Sequence, residues 1–137
     1  MAILVFTNPQ LVVNGVDLSN HVADVTLDIS IASVEMTAMG ATGKAYLAGL
    51  YEGKIDATFW QDFAAASVDA TLSAIWTAGT AVAFSLIGSG TTPSSTNPRY
   101  SGSMVMSDYP PMSGAVGSGL STKASFVTTG AITRGSV

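Results

Sequence analysis

Two stretches of the chain alternate with a period of two residues, and they limit its fold more than any other feature. In "VADVTLDISIA" (22–32), Val25, Leu27, Ile29 and Ile31 share one face and Asp24, Thr26, Asp28 and Ser30 share the other. In "GKIDATFWQ" (53–61), Ile55, Ala57 and Phe59 oppose Lys54, Asp56, Thr58 and Trp60. Side chains of a β-strand point alternately to its two faces, so each run reads as a strand with a core side and a water side. The two are natural hairpin partners.

Further strands are expected on either side. "QLVVNGVDLSNHV" reads as a short strand, an Asn14-Gly15 turn and a second short piece. "TAVAFSLIG" (80–88), "RYSGSMVMSDY" (99–109) and "LSTKASFVTTG" (120–130) supply three more, separated by "SGTTPSSTNP" and by a Pro110-Pro111 break followed by "MSGAVGSG". One segment breaks the pattern. In 65–78, Val68, Leu72, Ile75 and Trp76 recur at helical spacing, which makes a one-sided apolar stripe. Ser67 is placed to cap that helix, Asp69 lies in its first turn and Gly79 is placed to end it. With Phe63, the stripe is expected to seal the core. Between the first two long strands, 33–51 loses its alternation and is rich in small residues, so it is expected to be a long loop of the kind that orders against a partner.

These elements predict a mainly β, sandwich-like or barrel-like single domain over 1–137, with one flanking helix, an N-terminal arm at 1–9 and a C-terminal tail at 131–137. Only 10% of the residues are charged and 47% are apolar. Typical chains carry about 25% charge, so part of the outside is expected to be covered in an assembly. The net charge of −4 and the scatter of Lys44, Lys54, Arg99, Lys123 and Arg134 argue against binding to a phosphate backbone. With no cysteine, thiolate chemistry and disulfides are excluded. The start "MAILVFTNPQ" lacks the basic n-region of a signal peptide and no stretch has the length of a membrane span, so a product made without Sec export and without membrane insertion is expected.

Catalytic patterns are sparse. His21 is the sole histidine, which removes multi-histidine metal sites and disfavours a nucleophilic triad. "AMGATGKA" (38–45) departs from a phosphate loop, with Ala38 where the pattern needs Gly and Ala45 where it needs Ser or Thr. The glycines of "GAVGSG" are wrongly spaced for a dinucleotide turn. Asp24, Asp28 and Asp56 could gather a divalent cation, although solvating a sheet face is the simpler role. Trp60, Tyr100 and Tyr109 could stack bases, but the groove around them would be acidic. No enzyme and no cofactor is expected.

Taken in order, "VVNGVDLSNHVADVTLD", "TAMGATGKAYLAGLYEGKIDATFWQDFAAASVDATL" and "NPRYSGSMVMSDYPPMSGAVGSGLSTKASFVTTGAITR" resemble the tail tube (major tail) proteins of long, flexible-tailed bacteriophages, and in particular those of phages infecting actinobacterial hosts. The resemblance covers about residues 10–134. It implies a structural virion protein, assembled in the host cytoplasm, whose hexameric rings stack into a hollow tube that conducts DNA during ejection. It further implies a tape-measure protein and a tail terminator as partners, four strands per subunit in a continuous inner barrel, and a loop over 33–51 that reaches toward the next ring. Thr37, Met39, Gly40, Lys44, Tyr46 and Leu50 fall in that loop. Asp24, Thr26, Asp28, Ser30, Lys54 and Asp56 are then the expected lumen-facing residues, since a wall that repels phosphate lets DNA slide. The alternatives are another ring component of a tail, a contractile injection-system inner tube, or a carbohydrate-binding β-sandwich module.

Overall fold

The Asn14-Gly15 pair sits at positive φ (52° and 79°) and turns β1 (Gln10–Val13) into β2 (Val16–Asp17). A short 3-10 turn at Ser19–His21 then feeds β3 (Val22–Glu35), which pairs with β4 (Tyr46–Trp60). The chain continues through α1 (Val68–Ala78), β5 (Val82–Ile87), β6 (Arg99–Asp108) and β7 (Ser121–Gly135). The computed structural model describes residues 3–136, and within them the seven strands form one antiparallel sheet in the order β2-β1-β5-β6-β7-β4-β3.

The sheet is rolled. Leu11 and Val13 of β1 share a core with Val25 and Leu27 of β3, although these strands lie near opposite edges of the sheet. Phe59 and Phe126 are fully buried beside Ile55, Ala57, Ala124 and Met104, and α1 covers them with Val68, Leu72 and Ile75. Among the described residues β2 and β3 remain edges, so the architecture is an open half-barrel with a helix in its concavity rather than a closed barrel or a two-sheet sandwich.

Several expectations change. About half of the segment 33–51 is strand: β3 runs on to Glu35 and β4 begins at Tyr46, which leaves 36–45 as the turn of one long hairpin arm. Alternation is absent there because neither face of the arm is buried by its own chain. The tail also differs, since β7 extends to Gly135; Met1, Ala2 and Val137 of the expected arm and tail lie outside the described residues. In β3 only Val22, Val25 and Leu27 reach the core, while Ile29 and Ile31 are exposed where the strand leaves the rolled body. Trp76 is 69% exposed. At about 100° per residue it stands roughly 75° from the centre of the Val68–Leu72–Ile75 stripe, and Thr71 takes a buried position on the other flank instead. Phe63 is exposed as well.

Helix capping is partly as expected. Gly79 is left-handed (φ 65°) and its N–H donates to the Ile75 carbonyl. The Ser67 hydroxyl makes no cap and donates instead to Asp62 Oδ2 at 2.8 Å.

Candidate functional site

Register places the sequence-predicted polar residues on one surface. Cross-strand partners share a face, and the pairs are Asp24 with Thr58, Thr26 with Asp56, Asp28 with Lys54, and Ser30 with Glu52. β7 extends that surface with Lys123 opposite Thr58 and Ser125 opposite Asp56. All six residues, Asp24, Thr26, Asp28, Ser30, Lys54 and Asp56, therefore lie on the side of the sheet away from α1. Ser125 Oγ donates to Asp56 Oδ1 at 2.7 Å, and Lys54 Nζ lies 3.8 Å from Asp56 Oδ2. Such an exposed pair contributes well under about 1 kcal/mol. Acids opposite hydroxyls and a lysine make a hydrated carpet with a negative balance. Among the described residues no three His, Cys, Asp or Glu side chains are grouped to hold a metal ion.

The arm is built differently. Its turn is closed by Met36 N–H donating to the Ala45 carbonyl (2.7 Å) and by Thr37 Oγ1 accepting from Ala45 N–H (3.1 Å), and Gly40 supplies the positive φ of 89°. Thr37, Met39, Gly40 and Lys44 lie in this turn, whereas Tyr46 and Leu50 stand on β4 itself. Met39 and Leu50 are almost wholly exposed, and Met36, Tyr46 and Leu47 are more than half exposed.

Where the arm leaves the body the sheet forks, a feature the sequence reading missed. β4 pairs with β7 only from Lys54 onward, and at the fork side chains replace the ladder: Gly53 N–H donates to Thr128 Oγ1 (2.9 Å) and Ile132 N–H to the Tyr51 hydroxyl (3.1 Å). A Cβ on Gly53 would meet Ile132 Cδ1 at 2.7 Å and Thr128 Cγ2 and Oγ1 at 2.9 Å. The glycine that starts the alternating run was the available signal.

At the other end of the sheet, polar groups tie α1 to the strand ends. The Tyr109 hydroxyl donates to Asp69 Oδ1 (2.7 Å) and accepts from Gln61 Nε2 (3.1 Å); Thr122 Oγ1 donates to the Pro110 carbonyl (2.6 Å). Burial first, then the Asp69 hydrogen bond, push the Tyr109 phenol up to about 12. Asp62 accepts from Ala64 N–H, Ser67 Oγ and His21 Nε2 (3.0 Å), and these contacts, led by Ala64, hold its carboxyl below the usual range. His21 is thus a strut between the 3-10 turn and the start of the helix segment.

No family model matches the sequence, and no curated protein matches it. Solved structures do. The chain resembles a protein of the virion of a native gene transfer agent particle with a TM-score of 0.77 at 11% identity, covering 96% of this chain and 98% of that one. It resembles the SPP1 tail tube, solved by solid-state NMR and cryo-EM, with a TM-score of 0.75 at 11% identity over 98% of this chain and 80% of that one. It also resembles a chain from the tail of an empty gene transfer agent particle refined with C6 helical symmetry, with a TM-score of 0.68 at 15% identity over 82% and 81%. The class defined by this architecture is therefore the tail tube fold. These neighbours are parts of virion and tail particles, and the likeness spans the body and the arm alike.

Proposed function

We propose that this chain is the tube subunit of a long, flexible bacteriophage tail, a structural virion protein without catalytic activity. Six copies close into a ring and rings stack into a hollow tube through which DNA leaves the particle. The observation that carries the proposal is the agreement of nearly the whole chain with tail tube and gene transfer agent tail structures, one of them refined with C6 symmetry. The ordered sequence motifs support a phage of an actinobacterial host, assembly in the host cytoplasm, and a tape-measure protein and tail terminator as partners.

Physical features support a division of labour between the two sheet faces. β6, β7, β4 and β3 are adjacent and the longest strands, so six copies of them supply a continuous wall, and the free edge of β3 is satisfied by a neighbour rather than left to pair at random. With α1 outward, the Asp24–Asp28 and Lys54–Asp56 surface lines the lumen. The hydrated negative face then repels phosphate and offers DNA no basic groove.

Negative-stain electron microscopy of the purified protein at rising concentration tests the reading. Hollow tubes of stacked sixfold rings are expected. Single rings that never stack at any concentration favour a terminator-like ring component, and a persistent monomer in the presence of tape-measure protein refutes the proposal.

A further inference from the structure

The arm and the helix lie at opposite ends of the sheet. Arg99 pairs with Gly135 at the end from which the arm leaves, whereas Trp60 pairs with Ser121, and Asp108 with Ser125, at the other. α1 is joined at both its ends to this second end, through 61–67 after Trp60 and through 79–81 before Val82. Copies repeated along a tube axis therefore bring the arm end of one against the α1 end of the next.

Each end carries exposed apolar groups that its own chain leaves uncovered. On the arm, Met36, Met39, Tyr46, Leu47, Leu50 and Tyr51 are all exposed. Six exposed apolar side chains on one hairpin make the kind of contiguous patch that marks a protein interaction surface. Lys44 is the one cation between residues 31 and 52. At the α1 end, Trp76 projects from the helix and, with Tyr109, walls two adjoining cavities of about 280 and 340 Å³. Asp69, Ser73 and Pro111 complete the larger, and Asp108 lines the smaller. Neither cavity is lined by a basic side chain. A flexible thioether packs well against aromatic rings, and an ammonium five residues from it is opposite in charge to the two carboxylates.

We propose that the β3–β4 turn of one copy docks between α1 and the 109–111 segment of a second copy in the adjacent ring, with Met39 against Trp76 and Tyr109 and Lys44 toward Asp69 and Asp108. This rests on the tube reading and names the surface that receives the arm. The chain has another apolar cavity, of about 410 Å³, lined by Leu4, Phe6, Leu27, Ile29, Leu86 and Tyr100 among others. It opens at the arm end, where a copy repeated along the axis does not bring its own arm, and no carboxylate lines it to meet Lys44.

The absence of cysteine makes the test free of background. Met39→Cys with Ser73→Cys in one chain is assembled, treated with a short bismaleimide and run on a denaturing gel, with each single variant beside it. A ladder of covalent oligomers from the double variant alone is expected, and Lys44→Glu is expected to raise the concentration needed for stacking about tenfold while rings persist. Tubes seen by electron microscopy without a 39–73 ladder, or a ladder from Met39→Cys with Pro98→Cys instead, overturn the docking surface and leave the tube reading standing. If the unaltered protein forms neither rings nor tubes, the tube reading itself fails, and the docking proposal with it.

Discussion

Gly53→Ala places one methyl group at the fork, and the structure fixes what that methyl meets. The added Cβ stands 2.7 Å from Ile132 Cδ1 and 2.9 Å from both Thr128 Cγ2 and Oγ1. The isoleucine terminus can swing aside at small cost. Thr128 cannot, since it is β-branched in a strand and its hydroxyl accepts the Gly53 N–H at 2.9 Å, so relieving the clash forfeits that hydrogen bond. Overpacking of this kind costs about 1–3 kcal/mol and the lost bond about 1 kcal/mol, against a gain of roughly 0.5–1 kcal/mol from replacing glycine in a strand. A net destabilisation of about 2 kcal/mol is expected, which lowers the melting temperature of the unassembled chain by roughly 6–10 °C for a domain of this size. Urea denaturation of the wild type, Gly53→Ala, Thr128→Ala and the double variant closes a cycle. Thr128→Ala removes both obstructing atoms, so the double variant should be more stable than the sum of the single losses by about 1.5 kcal/mol or more. A Gly53→Ala chain as stable as the wild type, or a double variant that is simply additive, refutes the fork as a site of close packing.

Phe126→Ala empties the centre of the core and is expected to cost about 3–5 kcal/mol in the same urea assay, enough to leave a chain this size marginal. Tyr109 is raised to about 12 in the folded chain from an ordinary value near 10, so the unfolded chain ionises first; stability should fall as pH rises between these values, and Tyr109→Phe should flatten that part of the profile. Asp62 has the opposite sign: its depressed folded value means that its contribution is present above the usual carboxylate range and is lost as pH falls through the folded value, which Asp62→Asn should remove from an acid titration of stability. Asp24→Lys with Asp28→Lys should permit assembly and slow DNA ejection from particles; unchanged ejection kinetics would place that face outside the lumen.

The body of the fold was legible where burial is one-sided. Ile55, Ala57 and Phe59 against Lys54, Asp56 and Thr58, and the helix stripe of Val68, Leu72 and Ile75, each announce a core face and a wet face, and the structure has both as written. The polar candidates fall on one surface because their alternation survives register pairing. Contacts between residues far apart in the chain left little local trace beyond the glycine at 53: the Gly53–Thr128 and Tyr51–Ile132 hydrogen bonds span 75 and 81 residues, and the His21–Asp62 pair spans 41. Trp76 was misplaced because a residue at the margin of a helical stripe satisfies the spacing while its side chain points to solvent.

The arm was misread for a more informative reason. Alternation in a strand reports a difference between its two faces, and on the arm there is none: consecutive residues Tyr46 and Leu47, and again Leu50 and Tyr51, are apolar and exposed together. A loop in water would not carry such a run, and a strand with one face covered by its own chain would alternate. Backbone pairing over Ser33–Glu35 and Tyr46–Ala48 nevertheless holds the segment as a hairpin, and Gly53 with Thr128 and Tyr51 holds its base against β7. A rigid projection that is apolar on both faces stands in water only at the cost of exposed hydrophobic surface, which is the mark of a segment suited to a contact partner. On the proposed tube reading, missing periodicity and low charge thus have one cause: the amino acids of 31–51 suit the filled tube rather than the single chain.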